Sequence, residues 1–179
     1  MREVGTWTVL VYRIPREPSR PRIAVWRKLE RLGAARLGDG VVGLPADART
    51  REQLDWIADE ILAAGGSCTV WLSQPATVAQ EREIAAGMRA ARAAEYAAVT
   101  TEAEAAVSAD PAERARVLRR LRAELRRIHR RDFFPPAERD TARTAVDALA
   151  GAGDRLAGTR DRLAGTGDRL AGTRDRGRA

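Results

Sequence analysis

Residues 7–14, WTVLVYRI, constrain the fold more than any other stretch, because they are apolar on both faces of an extended chain. Period-two spacing and β-branched and aromatic side chains predict a strand. Trp7, Val9 and Val11 share one face, and Leu10, Tyr12 and Ile14 the other. A strand apolar on both sides belongs in the middle of a sheet. Pro15 and Pro18 end it.

The elements that follow read just as directly. Ser19 is placed to cap a helix whose first turn accepts Pro21. Val25, Leu29 and Leu32 repeat on one helical face, with Trp26 beside them, and Gly33 closes the helix. Two short strands flank Asp39-Gly40, a strong hairpin signal, and Pro45 ends the second. Thr50 and Gln53 fit a capping box ahead of Leu54, Ile57 and Ile61, an amphipathic helix stopped by Gly65-Gly66. Ser67–Leu72, SCTVWL, is a further strand.

This succession predicts an α+β fold of the ferredoxin-like, split βαβ type (β-α-β-β-α-β). Its sheet is antiparallel, with both helices on one face. All four tryptophans (Trp7, Trp26, Trp56 and Trp71) lie in this part, which places the core there. After Pro75 the strand signals vanish. Thr77 and Gln80 fit a second capping box, opening an Ala-rich helix to about Val107. Asp110, Pro111 and Glu113 start another helix, with an apolar seam of Leu118, Leu121, Leu125 and Ile128. RDFFPP breaks it, with Phe133-Phe134 filling the gap between two helices, and a last helix runs to about Gly151. Short joints predict an antiparallel helical appendage. The expected organisation is a ferredoxin-like domain over 1–74, a helical region over 75–150 and a repeat tail over 151–179.

In the tail, Leu149, Leu156, Leu163 and Leu170 lie seven apart. A coiled coil needs two apolar anchors per heptad, and here there is one. Each heptad also carries a glycine (Gly158, Gly165, Gly172) that costs a helix ~1 kcal/mol against Ala. The tail is expected to be disordered or a marginal helix.

Charge is uneven along the chain. The net charge is +7, and of 32 basic residues only Lys28 is a lysine. The first dense run holds Arg13, Arg16, Arg20, Arg22, Arg27, Lys28, Arg31 and Arg36 against Glu17 and Glu30. The second, Arg114 to Arg131, holds nine arginines against Glu124 alone. Such clusters gain affinity for phosphate backbones by counterion release. The guanidinium fork also suits an oxyanion such as phosphate, sulfate or chromate. In the second run Arg116, Arg119, Arg120 and Arg127 lie opposite the leucine seam, where any amphipathic helix is polar. In the first, cations cluster at a helix start, where they oppose the macrodipole unless an anion is held. The candidates for DNA or oxyanion binding are therefore Arg13, Arg16, Arg20, Arg22, Arg27, Lys28 and Arg31. A secondary group is Arg119, Arg120, Arg127, His129, Arg130 and Arg131.

Catalytic signatures are missing. No glycine-rich phosphate loop follows a strand and opens a helix. One cysteine (Cys68) and one histidine (His129) exclude a His/Cys zinc site within one chain and an internal disulfide. Cys68 reads as a structural thiol in its strand. The apolar run Trp7–Tyr12 is too short for a signal peptide core or a membrane span. The chain is expected to be cytoplasmic, with no membrane association, no catalytic or metal site, no cofactor and no enzymatic activity.

Several pieces together resemble the N-terminal domain of the ChrB family of bacterial chromate-resistance regulators. They are the VYRIPREPS loop, the helix R-x-AVWRKL-x-RLGA, the hairpin DGV-x-x-LP and the TREQ helix ending in GG, with RAARAAEY and IHRRDFFP further on. The resemblance covers residues 6–150. It implies a regulatory, DNA-binding module of a chromate-responsive transcription factor, with DNA and a chromate-like effector as partners. An interaction module that forms a homodimer without binding DNA is the alternative. Two-domain members of the family carry a further C-terminal domain, whereas residues 151–179 here are the repeat. The element order also resembles the central domain of PaaX-type regulators and the small ferredoxin-like nucleases of CRISPR systems. Those nucleases hold a metal on an aspartate at the end of the first strand. Arg13 stands there in this chain, which implies binding rather than cleavage.

Overall fold

A computed structural model describes residues 4–152. The first six elements are β1 (Trp7–Arg13), α1 (Ser19–Leu32), β2 (Ala35–Gly38), β3 (Val41–Pro45), α2 (Ala48–Ala63) and β4 (Ser67–Ser73). The sheet order is β2-β3-β1-β4 and each neighbouring pair is antiparallel. Each helix thus crosses between two strands that have a third inserted between them, which is the split βαβ arrangement. β1, apolar on both faces, is an inner strand.

The two faces of β1 are covered differently. Thr8 pairs with Leu44, and Leu10 with Val42 and Val70. This face packs with Val25 and Leu29 of α1 and with Leu54, Ile57 and Ile61 of α2. On the opposite face Trp7 and Val9 meet Ile84 and Met88 from the first half of α3 (Val78–Ala105). Trp7 also stacks on Phe134 at 6.1 Å between ring centroids. Phe133 and Phe134 therefore pack on the sheet core rather than between two helices. Their partner Trp7 is far away in sequence, so no local pattern pointed to it.

Of the four tryptophans only Trp7 is buried; Trp26 is 48%, Trp56 67% and Trp71 57% exposed. The expectation that Trp26 joins the core is overturned. Val25 and Leu29 set the buried stripe of α1, and Trp26 lies roughly 100° round the helix from Val25.

Two helix starts also differ from expectation. Ser19 is already inside α1, and Pro18 holds the cap position with no side-chain hydrogen bond. In α2 the cap is Asp47, whose carboxylate accepts from the Thr50 amide at 2.6 Å while Thr50 Oγ1 accepts from the Asp47 amide at 3.0 Å. Thr50 is thus the third helical residue of the box rather than its cap. The Thr77–Gln80 box forms as expected, with both reciprocal bonds at 3.2 Å.

Thr8 is fully buried and its Oγ1 has no hydrogen-bond partner. An unsatisfied buried hydroxyl costs about 1–3 kcal/mol. Thr8→Val keeps the shape and removes the hydroxyl, so urea titration is expected to show a gain of about 1 kcal/mol. A net loss would mean that the hydroxyl is satisfied.

The chain packs as two compact units. Among the described residues one unit comprises residues 4–93 together with His129–Pro136; the other comprises Ala94–Ile128 and residues 137–152. The sheet ends at Ser73, but the first unit also takes in the start of α3 and the segment after α4 (Pro111–His129). The second unit has its own core. Tyr96, Val99 and Ala103 of α3 meet Val117, Leu121 and Ile128 of α4 and Ala142, Val146 and Leu149 of α5, a helix over 138–152. Arg120 pairs with Glu102, and Arg127 feels the charge of Glu95. As the α4 number rises the α3 number falls, so these helices are antiparallel. Asp110 caps α4, accepting from the amides of Ala112 and Glu113 at 2.9 Å. The repeat from residue 153 onward lies outside the described residues.

Candidate nucleic-acid interface

β1 ends at Arg13 and a proline-bracketed loop delivers the chain to α1. Proline supplies no amide, and Pro18 caps nothing through its side chain. The first turn of α1 holds no acidic residue but does hold Arg20 and Arg22. Cations at this end oppose the helix dipole by about 0.3–1 kcal/mol each. Arg16, Glu17, Pro18, Ser19 and Arg22 line an open depression at this turn.

Arg13, Arg16, Arg20, Arg22, Arg27 and Arg31 are all exposed. Among the described residues none of the six is in an ion pair with a carboxylate. Lys28 differs: it is engaged with Glu60 and ties α1 to α2. The structure therefore groups six of the seven primary candidates as unneutralised cations on one segment and gives the seventh a structural partner.

The secondary group is divided between the units. Arg119, Arg120 and Arg127 belong to the second, and His129, Arg130 and Arg131 to the first. Arg120 pairs with Glu102, Arg127 with Glu124, and neighbouring Arg116 with Glu113 at 3.0 Å. The Glu124 carboxylate, by hydrogen bond and charge, raises the Arg127 pKa further above its ordinary value. Arg114 is buried, and its Nη2 donates to the Val107 and Ala109 carbonyls at 2.9 and 2.7 Å, closing the end of α3. Arg131 donates to the Glu30 carbonyl at 3.4 Å, and the Arg130 carbonyl accepts from Arg49 at 3.3 Å. His129 and Arg119 are exposed. Much of this second run is thus committed to holding structure.

Three residues outside the candidate set join Arg13 and Arg22: Tyr12, Trp26 and Arg36, the last member of the first run. The Tyr12 amide donates to the Gly40 carbonyl at 2.7 Å, which brings the β2–β3 turn to the end of β1. Tyr12, Trp26 and Arg36 then line one cleft with Arg13 and Arg22. Burial raises the Tyr12 pKa and the Arg36 charge partly opposes it, so the phenol keeps its proton at neutral pH. Trp26 had a legible signal, since it falls at the edge of the helical stripe. Arg36 joins only through the hairpin, which no local pattern reveals.

Cys68 is half-buried and its Sγ donates to the Ala58 carbonyl at 3.4 Å. Burial, and then the Asp59 charge, push its pKa up. The thiolate is the reactive form, so iodoacetamide at pH 7.5 is expected to modify Cys68 more slowly than free cysteine. Equal or faster labelling would contradict this placement. Among the described residues no cluster of His, Cys, Asp or Glu is arranged to hold a metal ion, and no helix is long and apolar enough to cross a membrane.

The model of the family "Protein ChrB, N-terminal" matches residues 22–164. This chain belongs to the ChrB N-terminal family. It is 34% identical over 133 residues to Protein ChrB of Cupriavidus metallidurans, a match that covers 72% of this chain and 40% of that relative. The chain thus spans less than half the length of the ChrB relative. The family match begins at Arg22, so β1 and the proline loop with Arg13, Arg16 and Arg20 precede it. It includes α1 from Arg22 onward, the hairpin and all of α4. No solved structure matches the chain.

Proposed function

We propose that this chain is a DNA-binding regulatory module of the chromate-resistance type, acting by binding rather than by catalysis. The observation that carries the reading is the set of exposed arginines on the loop and α1 with no carboxylate partner. Elsewhere several exposed arginines pair with carboxylates: Arg51 with Asp55, Arg116 with Glu113, Arg120 with Glu102 and Arg127 with Glu124. Leaving like-charged groups unneutralised along one short segment raises local repulsion, which a polyanion relieves. The uncapped start of α1 adds backbone amides directed at the same side. Arg13 at the end of β1 disfavours a divalent cation there, in keeping with contact rather than cleavage. Membership of the ChrB N-terminal family supports the regulatory context.

The test is a mobility shift at 50 mM salt with duplex DNA from upstream of the chain's own operon, beside a scrambled duplex. The reading expects binding to both, tighter to the upstream sequence. Failure to shift either duplex would contradict it.

A second reading is favoured by the exposed Trp56 and Trp71: an interaction module whose apolar side chains meet a second copy. Light scattering separates the two. A single-chain mass throughout the micromolar range counts against self-association.

A further inference from the structure

We propose that the cleft between the end of β1, the flank of α1 and the β2–β3 turn binds a nucleoside phosphate. The base lies on Trp26 and the phosphate sits among Arg13, Arg22 and Arg36. The cleft shares Arg13 and Arg22 with the surface proposed to meet DNA, whereas Trp26 and Arg36 belong to the cleft alone, and nucleotide binding through them stands without duplex binding.

The lining supplies each part of such a ligand. Arg13, Arg22 and Arg36 converge on a cleft of about 740 Å³ whose one carboxylate is Asp39. That volume falls within the roughly 300–1,000 Å³ typical of small-ligand sites. None of the three arginines is in an ion pair with a carboxylate among the described residues. Their forks match a phosphate's oxygens in a way that lysines would not. Trp26 is half exposed with its flank on the cleft, so a flat ring gains stacking area there. Tyr12 keeps its proton and donates. Asp39 accepts, which suits ribose hydroxyls.

Inorganic phosphate would use only the cationic half and leave Trp26 wet. A purely apolar ligand would leave three guanidinium groups desolvated and unpaired, at high cost. A ligand with a π-face, hydroxyls and a phosphate satisfies both halves. That chemistry has two sources: a free mononucleotide, or an unpaired nucleotide of a single strand.

The experiment is calorimetric titration of the full chain with adenosine 5′-monophosphate, inorganic phosphate and a single-stranded thymidine decamer, with duplex DNA measured in parallel. The expected result is one nucleotide per chain, with inorganic phosphate at least tenfold weaker. Trp26→Ala should lower nucleotide affinity about tenfold and Trp26→Phe much less. Trp26 is outside the core, so far-UV circular dichroism should be unchanged in both variants. A decamer far tighter than the mononucleotide assigns the cleft to unpaired nucleic acid; similar affinities assign it to a free nucleotide. No binding of either, or unchanged affinity in Trp26→Ala, overturns the proposal. Duplex binding without nucleotide binding overturns the cleft alone. Nucleotide binding without duplex binding upholds the cleft and removes the DNA reading.

Discussion

Replacing Gly40 by valine is expected to lower the unfolding free energy by roughly 3 kcal/mol, whereas the same change at Gly38 costs under about 1 kcal/mol. Gly40 has φ of 69°, a region that a β-branched residue enters at a cost of about 1–2 kcal/mol. A Cβ there would lie 2.2 Å from the Tyr12 carbonyl oxygen, a backbone atom that cannot rotate away. Relieving the clash means moving the turn off β1 and losing the 2.7 Å bond from the Tyr12 amide to the Gly40 carbonyl, about 1 kcal/mol more. At Gly38 the nearest atom to an added Cβ is 3.9 Å away and φ is not positive. Urea midpoints for both variants decide the matter. Equal stability would mean that the turn does not seat against Tyr12. Because Gly40 also lines the cleft, the variant should lose the cleft along with the turn.

The second large effect concerns binding. Arg16, Arg20 and Arg22 changed together to alanine should weaken duplex DNA affinity on the order of 10²-fold at 0.1 M salt, and reduce the salt slope by about 3. Each lost phosphate contact removes roughly 0.9 from that slope. All three side chains are exposed and outside the core, so the unfolding midpoint should stay within about 0.5 kcal/mol of the parent. A matched triple change at Arg119, Arg122 and Arg126, exposed on α4, is the control for total charge. If both triples weaken binding equally, net charge rather than the loop and α1 explains affinity.

Much of the architecture could be read from residues 7–72, and the reason is physical. A strand apolar on both faces has few places to go, Asp39-Gly40 names its turn, and short right-handed connections then leave one sheet order. Cap positions were less legible, because Asp47 and Thr50 are both cap-forming types three residues apart. Tryptophan misled because its indole is amphipathic: Trp26, Trp56 and Trp71 count as apolar in sequence yet are wet in the fold. The arginine run was visible as a run, but not which members would be neutralised. Lys28 finds Glu60 across a helix interface, and Arg120 finds Glu102 across another. The cleft was hidden for the same reason. Its residues come from a strand end, a helix flank and a hairpin, brought together by the β1–β3 ladder and the bond from the Tyr12 amide to the Gly40 carbonyl.

The most direct test of the central claim is the salt dependence of duplex DNA binding by the intact chain, measured by fluorescence anisotropy from 50 to 300 mM. An interface of four to six arginine–phosphate contacts predicts a straight line of log K against log salt with a slope of about −4 to −5. A slope near zero, or no measurable binding at 50 mM, would contradict the assignment of the loop and α1 as a phosphate-contacting surface.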